Sequence, residues 1–243
     1  MIYGKFHMTV KTNNVFIMNR ICLALVCLWI TSNALAQSSN SGPQDSSPYG
    51  PAINVAVLNA NETEADIFFA DAERNERRGE LNEALTLFGK AAFEYNSNKK
   101  LTQYAASLLR MSNVHLLLSH YTEAEQVVLN VALKTYSRIG NKAGQMAAYN
   151  QLGKIYFGAN KLTQSLWFYT QQGILAQQLK NNSSYIESIL GIATVKIKKR
   201  EYQLALKDVS KAETLAKYFK FNQFNSQIKS AKTTISEKQA SKK

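Results

Sequence analysis

The sequence predicts an all-α fold, a solenoid of antiparallel helix pairs about four repeats long and closed by a C-terminal capping helix. Three observations carry this expectation. Four stretches resemble one another, beginning at Gly79, Ser119, Asn160 and Arg200, and the small residues within them, Ala84, Ala124, Ser165 and Ala205, recur at intervals of 40, 41 and 40. Apolar residues recur in steps of three and four on both sides of each stretch, the period of a helix that buries one face. The three prolines, Pro43, Pro48 and Pro51, lie close together, and the chain from Ala52 to Lys243 has none, which leaves long helices uninterrupted.

In chain order, the first element is a targeting segment. Ile21 to Ile30 reads ICLALVCLWI, ten apolar residues behind Arg20 and ahead of an Ala34-Leu35-Ala36 exit. That layout is a secretory signal peptide over residues 1–36, with Met18 as an alternative start. The apolar run is shorter than the roughly 20 residues that span a bilayer, so an uncleaved anchor is the rival reading. Cys22 and Cys27 would leave with this segment, and the mature chain would then carry no disulfide, thiolate nucleophile or cysteine-bound zinc. Residues 37–62 follow as a flexible leader that opens polar and Ser-rich, QSSNSGPQDSSPYG.

Residues 63–221 hold the four repeats. In each, an apolar Leu or Tyr (Leu81, Tyr121, Leu162, Tyr202) precedes the small residue, and Asn82, Thr122 and Thr163 stand where a helix N-cap would. Gln203, at the same place in the fourth repeat, is a poor cap. Downstream stripes run Ala84, Phe88, Ala91, Tyr95; Ala124, Val128, Val131, Thr135; and Ala205, Val209, Ala212, Ala216. Upstream stripes run Leu108, Met111, Ser112, His115; Tyr149, Leu152, Gly153, Tyr156; and Ile189, Ile192, Ala193, Lys196. Ala72, Ser112, Gly153 and Ala193 each stand twelve residues before the partner small residue. Small against small lets two antiparallel helices cross closely. Residues 222–243 place Phe224, Ile228, Ala231 and Ile235 on one helical face, a capping helix with a basic tail.

These repeats resemble the tetratricopeptide repeat (TPR) family. The third unit carries the resemblance best, Tyr149-x-x-Leu152-Gly153-x-x-Tyr156 followed by Ser165 and Tyr169. The first matches through Ala84, Phe88 and Ala91, with Asn75 where an aromatic is usual. The family repeat is about 34 residues, and one extra turn on each helix would add roughly seven while keeping the buried face in register. The proline that closes the family's second helix is absent from all four units. The resemblance implies a right-handed superhelix whose first helix in each unit lines a concave groove that holds a protein or peptide partner. The groove positions are then Asn113, Leu116 and Leu117, next Asn150, Lys154 and Phe157, and last Leu190, Thr194 and Lys198. Asn113 and Asn150 resemble the asparagines by which peptide-binding members hold a ligand backbone. Lys154 and Lys198 would add a carboxylate contact, although the family's full set of basic clamp residues is missing.

Charge is uneven along the chain. The whole sequence carries a formal +12, of which Lys5, Lys11 and Arg20 belong to the signal segment. Residues 37–100 hold ten acids and six bases, whereas residues 101–243 hold seven acids and twenty bases. The densest cluster is Lys196, Lys198, Lys199 and Arg200, a basic patch suited to an anionic surface. Nucleic acid is not an expected partner, because no recognition motif or aromatic stacking platform accompanies the lysines. No phosphate loop, nucleophile elbow, zinc-protease motif or calcium loop is present. His115 and His120 are five apart, a spacing that points away from a shared helix face and a metal pair. The expectation is an exported scaffold, periplasmic or secreted, with no enzymatic activity, cofactor or metal. Its rivals are an input component of an envelope signalling system and a surface-attachment protein held by its basic units.

Overall fold

The computed structural model describes residues 63–240, all within one compact unit, Val55–Lys243. The signal segment 1–36, the leader residues 37–62 and the tail residues 241–243 lie outside the described residues. The expected all-α solenoid is the fold observed, with nine helices and no strand among the described residues. They are α1 (Glu64–Arg78), α2 (Leu81–Ser97), α3 (Leu101–Leu117), α4, α5 (Lys142–Gly158), α6 (Leu162–Gln178), α7 (Asn182–Lys198), α8 (Tyr202–Phe219) and α9 (Asn225–Ala240). Helix α4 runs as Tyr121–Gln126, a π segment Val127–Ala132, and Leu133–Arg138. A 3₁₀ turn, Asn222–Phe224, leads into α9. Each helix packs on its sequence neighbours, and α3, α5, α7 and α9 also touch in succession.

Most of the helices are 17 residues long, which is where the extra length of the repeat resides. Helix starts fall at residues 81, 101 and 121, then at 142, 162, 182 and 202. The single step of twenty-one is the extra residue of α4. A helix that gains one residue while its ends stay fixed must widen a turn, and the π segment is that widened turn. The 41 among the sequence intervals is the same residue counted another way.

The links explain why the expected caps are misplaced. Among the described residues eight adopt positive φ, namely Gly79, Lys99, Ser119, Gly140, Asn160, Lys180, Arg200 and Lys220. At each, the amide bonds back three residues and the next amide bonds back five, as in Asn160 N to Phe157 O at 3.1 Å and Lys161 N to Tyr156 O at 2.8 Å. This is the Schellman termination. It turns the chain so tightly that the next helix begins two residues after the left-handed residue. Asn82, Thr122 and Thr163 are therefore already inside α2, α4 and α6. The capping positions are Glu80, His120 and Lys161, whose side chains make no capping bond. Genuine side-chain caps stand elsewhere. Asn141 Oδ1 accepts from Gly144 N at 2.8 Å and Asn181 Oδ1 from Ser184 N at 2.9 Å, at the starts of α5 and α7.

The small-residue crossings are present and buried. Ala72, Ala84, Ser112, Ala124, Ser165 and Ala205 are all wholly buried, and Ser165 Oγ donates to Gly153 O at 2.8 Å across the α5–α6 crossing. The occupant of the space above Gly153 is the Tyr169 ring. A Cβ at Gly153 would stand 2.6 Å from it, and one at Gly191 would stand 2.7 Å from it. Tyr169 is thus wedged between two glycines, one on α5 and one on α7, and fills the joint between the third and fourth repeats. Phe224, Ile228 and Ile235 bury one face of the C-terminal segment against the last repeat. The helix continues to Ala240, the last described residue. No helix among the described residues is long and apolar enough to cross a membrane.

Candidate functional site

Asn113 on α3 and Asn150 on α5 are half-buried, and each is held by a carboxylate of a neighbouring repeat. Asn113 Nδ2 donates to Glu76 Oε1 at 2.6 Å, and Asn150 Nδ2 donates to Glu187 Oε1 at 2.9 Å. Glu76 also meets Arg110 at 2.7 Å, and Arg110 reaches Glu73 at 3.3 Å. Glu187 accepts from Gln172 Nε2 at 2.9 Å and lies 3.9 Å from Lys154 Nζ. Glu76, Arg110, Gln172 and Glu187 are the organising residues that sequence reasoning missed. A signal for them existed. Each asparagine stands 37 residues from its carboxylate, one repeat less a helical turn, so the two share a face when units stack.

The remaining groove candidates divide. Leu117 is 55% exposed in the last turn of α3. Phe157, in the last turn of α5, meets Lys198, whose Nζ lies 4.7 Å from the ring centroid and 3.4 Å from the Phe157 carbonyl oxygen. Thr194 Oγ1 donates to Leu190 O within its own helix. Leu190 itself is only 1% exposed and belongs to the core of the fourth repeat, so it cannot line a groove.

The basic run also separates on folding, because successive residues of a helix point about 100° apart. Lys196 Nζ is 2.6 Å from Asp208 Oδ2, and Lys199 Nζ is 2.6 Å from Glu201 Oε1, so both are compensated. Arg200, in the link after α7, joins no ion pair among the described residues. It opens with Lys198 onto a cavity of about 550 Å³, walled further by Phe157, Tyr202 and Lys238 of α9. Thr194 and Ile197 complete the lining, and none of the lining residues is acidic.

The histidines behave differently from their spacing. Helix α3 ends at Leu117, so the turn between them brings His115 and His120 together, with ring centroids 5.9 Å apart. Burial, and then the neighbouring His120, lower the His115 pKa below its ordinary value. Among the described residues no group of three or more potential ligands is placed to hold a metal ion.

Neither a family model nor a curated protein matches the sequence. Solved structures do match its fold. BtubC (BKLC) from P. vanneervenii superposes with a TM-score of 0.57 at 17% identity, over 67% of this chain and 68% of that one. Two crystal structures of a putative kinesin light chain from P. anserina, described as nearly identical TPR-like repeats, also superpose. A point variant of that protein gives a TM-score of 0.54 at 12% identity, over 72% of this chain and 92% of that one. The other structure gives 0.52 at 12% identity, over 73% and 95%. The chain has a TPR-like repeat fold.

Proposed function

From that fold we propose that the protein is an exported, non-enzymatic scaffold that binds a protein or peptide partner along the face formed by α3, α5 and α7. The fold suggests a protein partner, and function must come from the face itself. The observation that carries the reading is Leu117. It is a leucine 55% exposed in the last turn of α3, and it shares that helix face with the Asn113–Glu76 pair. The asparagine–carboxylate pairs give the face polar groups that both donate and accept, the pattern an extended peptide backbone requires. Lys154 and Lys198 add cations beside it, and Phe157 an apolar contact.

Export rests on the Ala34-Leu35-Ala36 exit and the short apolar core before it. N-terminal sequencing of the exported protein should begin at Gln37, and retention of an intact N-terminus in the membrane fraction would favour an anchor. Partner binding is tested by capture from an envelope fraction with the chain from Gln37 onward, followed by calorimetry on the captured protein. Leu117→Ala with Lys154→Ala should weaken that affinity about tenfold, by roughly 1.4 kcal/mol. The face is wrong if affinity is unchanged. Asn113→Ala is a poorer probe, because it also removes one of the two partners of Glu76 and lowers stability.

A further inference from the structure

Eight of the nine helices among the described residues carry charged side chains, and α6 carries none. Its sequence, LTQSLWFYTQQGILAQQ, lies between Lys161 and Lys180 in a chain that is 19% charged. The helix packs on α5 and α7 and turns one side to solvent along its whole length. On that side Trp167 is 53% exposed and Ile174 is 45% exposed. They are seven residues apart, two helical turns, and so point the same way about 10 Å from each other. The other exposed apolar side chains are placed differently. Phe93 stands beside Glu94, Leu179 beside Lys180, Leu204 one turn from Lys207 and Tyr218 beside Lys217, and Leu117 belongs to the α3–α5–α7 face. An exposed side that holds a tryptophan and no charge has the composition of the centre of a protein interface.

We propose that α6 is a self-association face, on which a second copy of this chain lays its own α6 antiparallel. The choice of a second copy rests on symmetry and on charge. Turned end for end, the exposed side of α6 repeats its own pattern about a point between Thr170 and Gln171. Trp167 of one copy then meets Ile174 of the other, and Ile174 meets Trp167. Gln164 meets Gln177, and Thr170 meets Gln171, pairs in which both side chains can donate and accept. Every contact occurs twice, as an isologous two-fold interface requires. Residues 101–243 hold seven acids and twenty bases, so two copies that approach by their basic surfaces repel, whereas α6 brings no charge to the contact. Trp167 is already steadied by edge-to-face contacts with Phe168 at 4.7 Å and Tyr149 at 6.5 Å, which lowers the entropy cost of docking it. Beside Ile174 a groove of about 190 Å³, walled by Ile189 and Ile192 of α7, offers the incoming indole a seat. One helix face on each copy makes a small contact, of the transient class. It uses none of the residues placed on the proposed partner face, so the two readings are independent.

Sedimentation equilibrium of the chain from Gln37 onward tests the face. A monomer–dimer equilibrium with a Kd of about 10 to 100 µM is expected. Trp167→Lys and Ile174→Glu should each weaken it about tenfold or more, with helix content by circular dichroism unchanged because both positions face solvent. Mixing the two variants tests the register. In the antiparallel pairing a mixed dimer keeps one Trp167–Ile174 contact and sets the introduced lysine against the introduced glutamate, so the mixture should associate more tightly than either variant alone. A parallel pairing would set neither of these together. Raising NaCl from about 0.05 M to about 0.5 M should leave the wild-type dimer intact, because the contact holds no ion pair to screen. Leu117→Ala should leave it intact as well. The proposal is overturned if the wild type stays monomeric up to about 500 µM, or if either charged variant dimerises as the wild type does. A mixture no tighter than its components, or a dimer that salt dissolves, would also overturn it.

Discussion

At the scale of single residues, Asp66 shows how one side chain ties the first repeat together. Its carboxylate accepts from the Thr63 hydroxyl at 2.6 Å, the Thr63 amide at 3.0 Å and the Tyr95 hydroxyl at 2.6 Å. The Thr63 hydroxyl bond, then the Tyr95 bond, hold the acid's pKa down at about 2. The stabilisation is therefore complete above the ordinary carboxylate range and is lost as pH falls from about 4 to about 2. Asp66→Asn should cost about 1 to 2 kcal/mol at pH 7 after allowance for solvent screening, and should flatten the acid limb. Urea midpoints of both proteins between about pH 2 and about pH 5 measure this, and parallel acid limbs would remove Asp66 from the account. The links make a second residue-scale case. Lys180 adopts φ 53°, where Gly140 serves in another link, so Lys180→Gly should stabilise by about 1 kcal/mol in a denaturant titration. Such positions were invisible in the sequence. Lysine, serine and arginine carry no signature of a left-handed turn, and only Gly79, Gly140 and Asn160 advertised theirs. Glu76 and Glu187, which hold Asn113 and Asn150, look like solvated helix residues until the 37-residue spacing is set against the stacking of units.

At the scale of elements, periodicity was fully legible and boundaries were not. The stripes from Ala84 to Tyr95 and from Ala205 to Ala216 are buried as a helical step of three and four requires. The caps failed because Schellman links, with no side-chain oxygen, set where α2, α4 and α6 begin. The histidines failed for a related reason, since a five-residue spacing was read as continuous helix where a turn intervenes. Helix α4 offers the sharpest test at this level. Its π segment absorbs one residue beyond the length of α2 and α6. Deleting exposed Asn130 should leave an ordinary helix in register with both neighbours, with stability within about 1 kcal/mol of wild type or above it. Deleting Thr86 from α2, which has no surplus residue, should shift every later side chain by about 100° and unfold the first repeat. Circular dichroism melts of the two deletions give the comparison, and equal losses would mean that the π segment is structurally required.

At the scale of the whole molecule, stability is distributed through joints between neighbouring units. The joint between the third and fourth repeats turns on Tyr169, held between Gly153 and Gly191. Gly153→Leu should cost about 2 to 4 kcal/mol, because the ring and both backbones would have to move together. Hydrogen exchange should then show weakened protection in α7 and α8 as well as in α5 and α6, whereas loss confined to α5 would place the joint elsewhere. Net charge, by contrast, misled at this scale. The basic run from Lys196 to Arg200 reads as one patch, yet folding pairs half of it and turns the remainder into a cavity wall. The uniform links have a wider consequence. The connection between two helices of one repeat and the connection between successive repeats share the same pair of Schellman hydrogen bonds around one left-handed residue. The elementary brick is therefore a single helix with its link, about twenty residues, and the chain can be cut or rejoined at any link with matching ends. Gene duplication and recombination acting on such a sequence need not respect the boundary of the helix pair. Arrays with an odd number of helices, such as the nine that the described residues form, are as accessible to it as even ones.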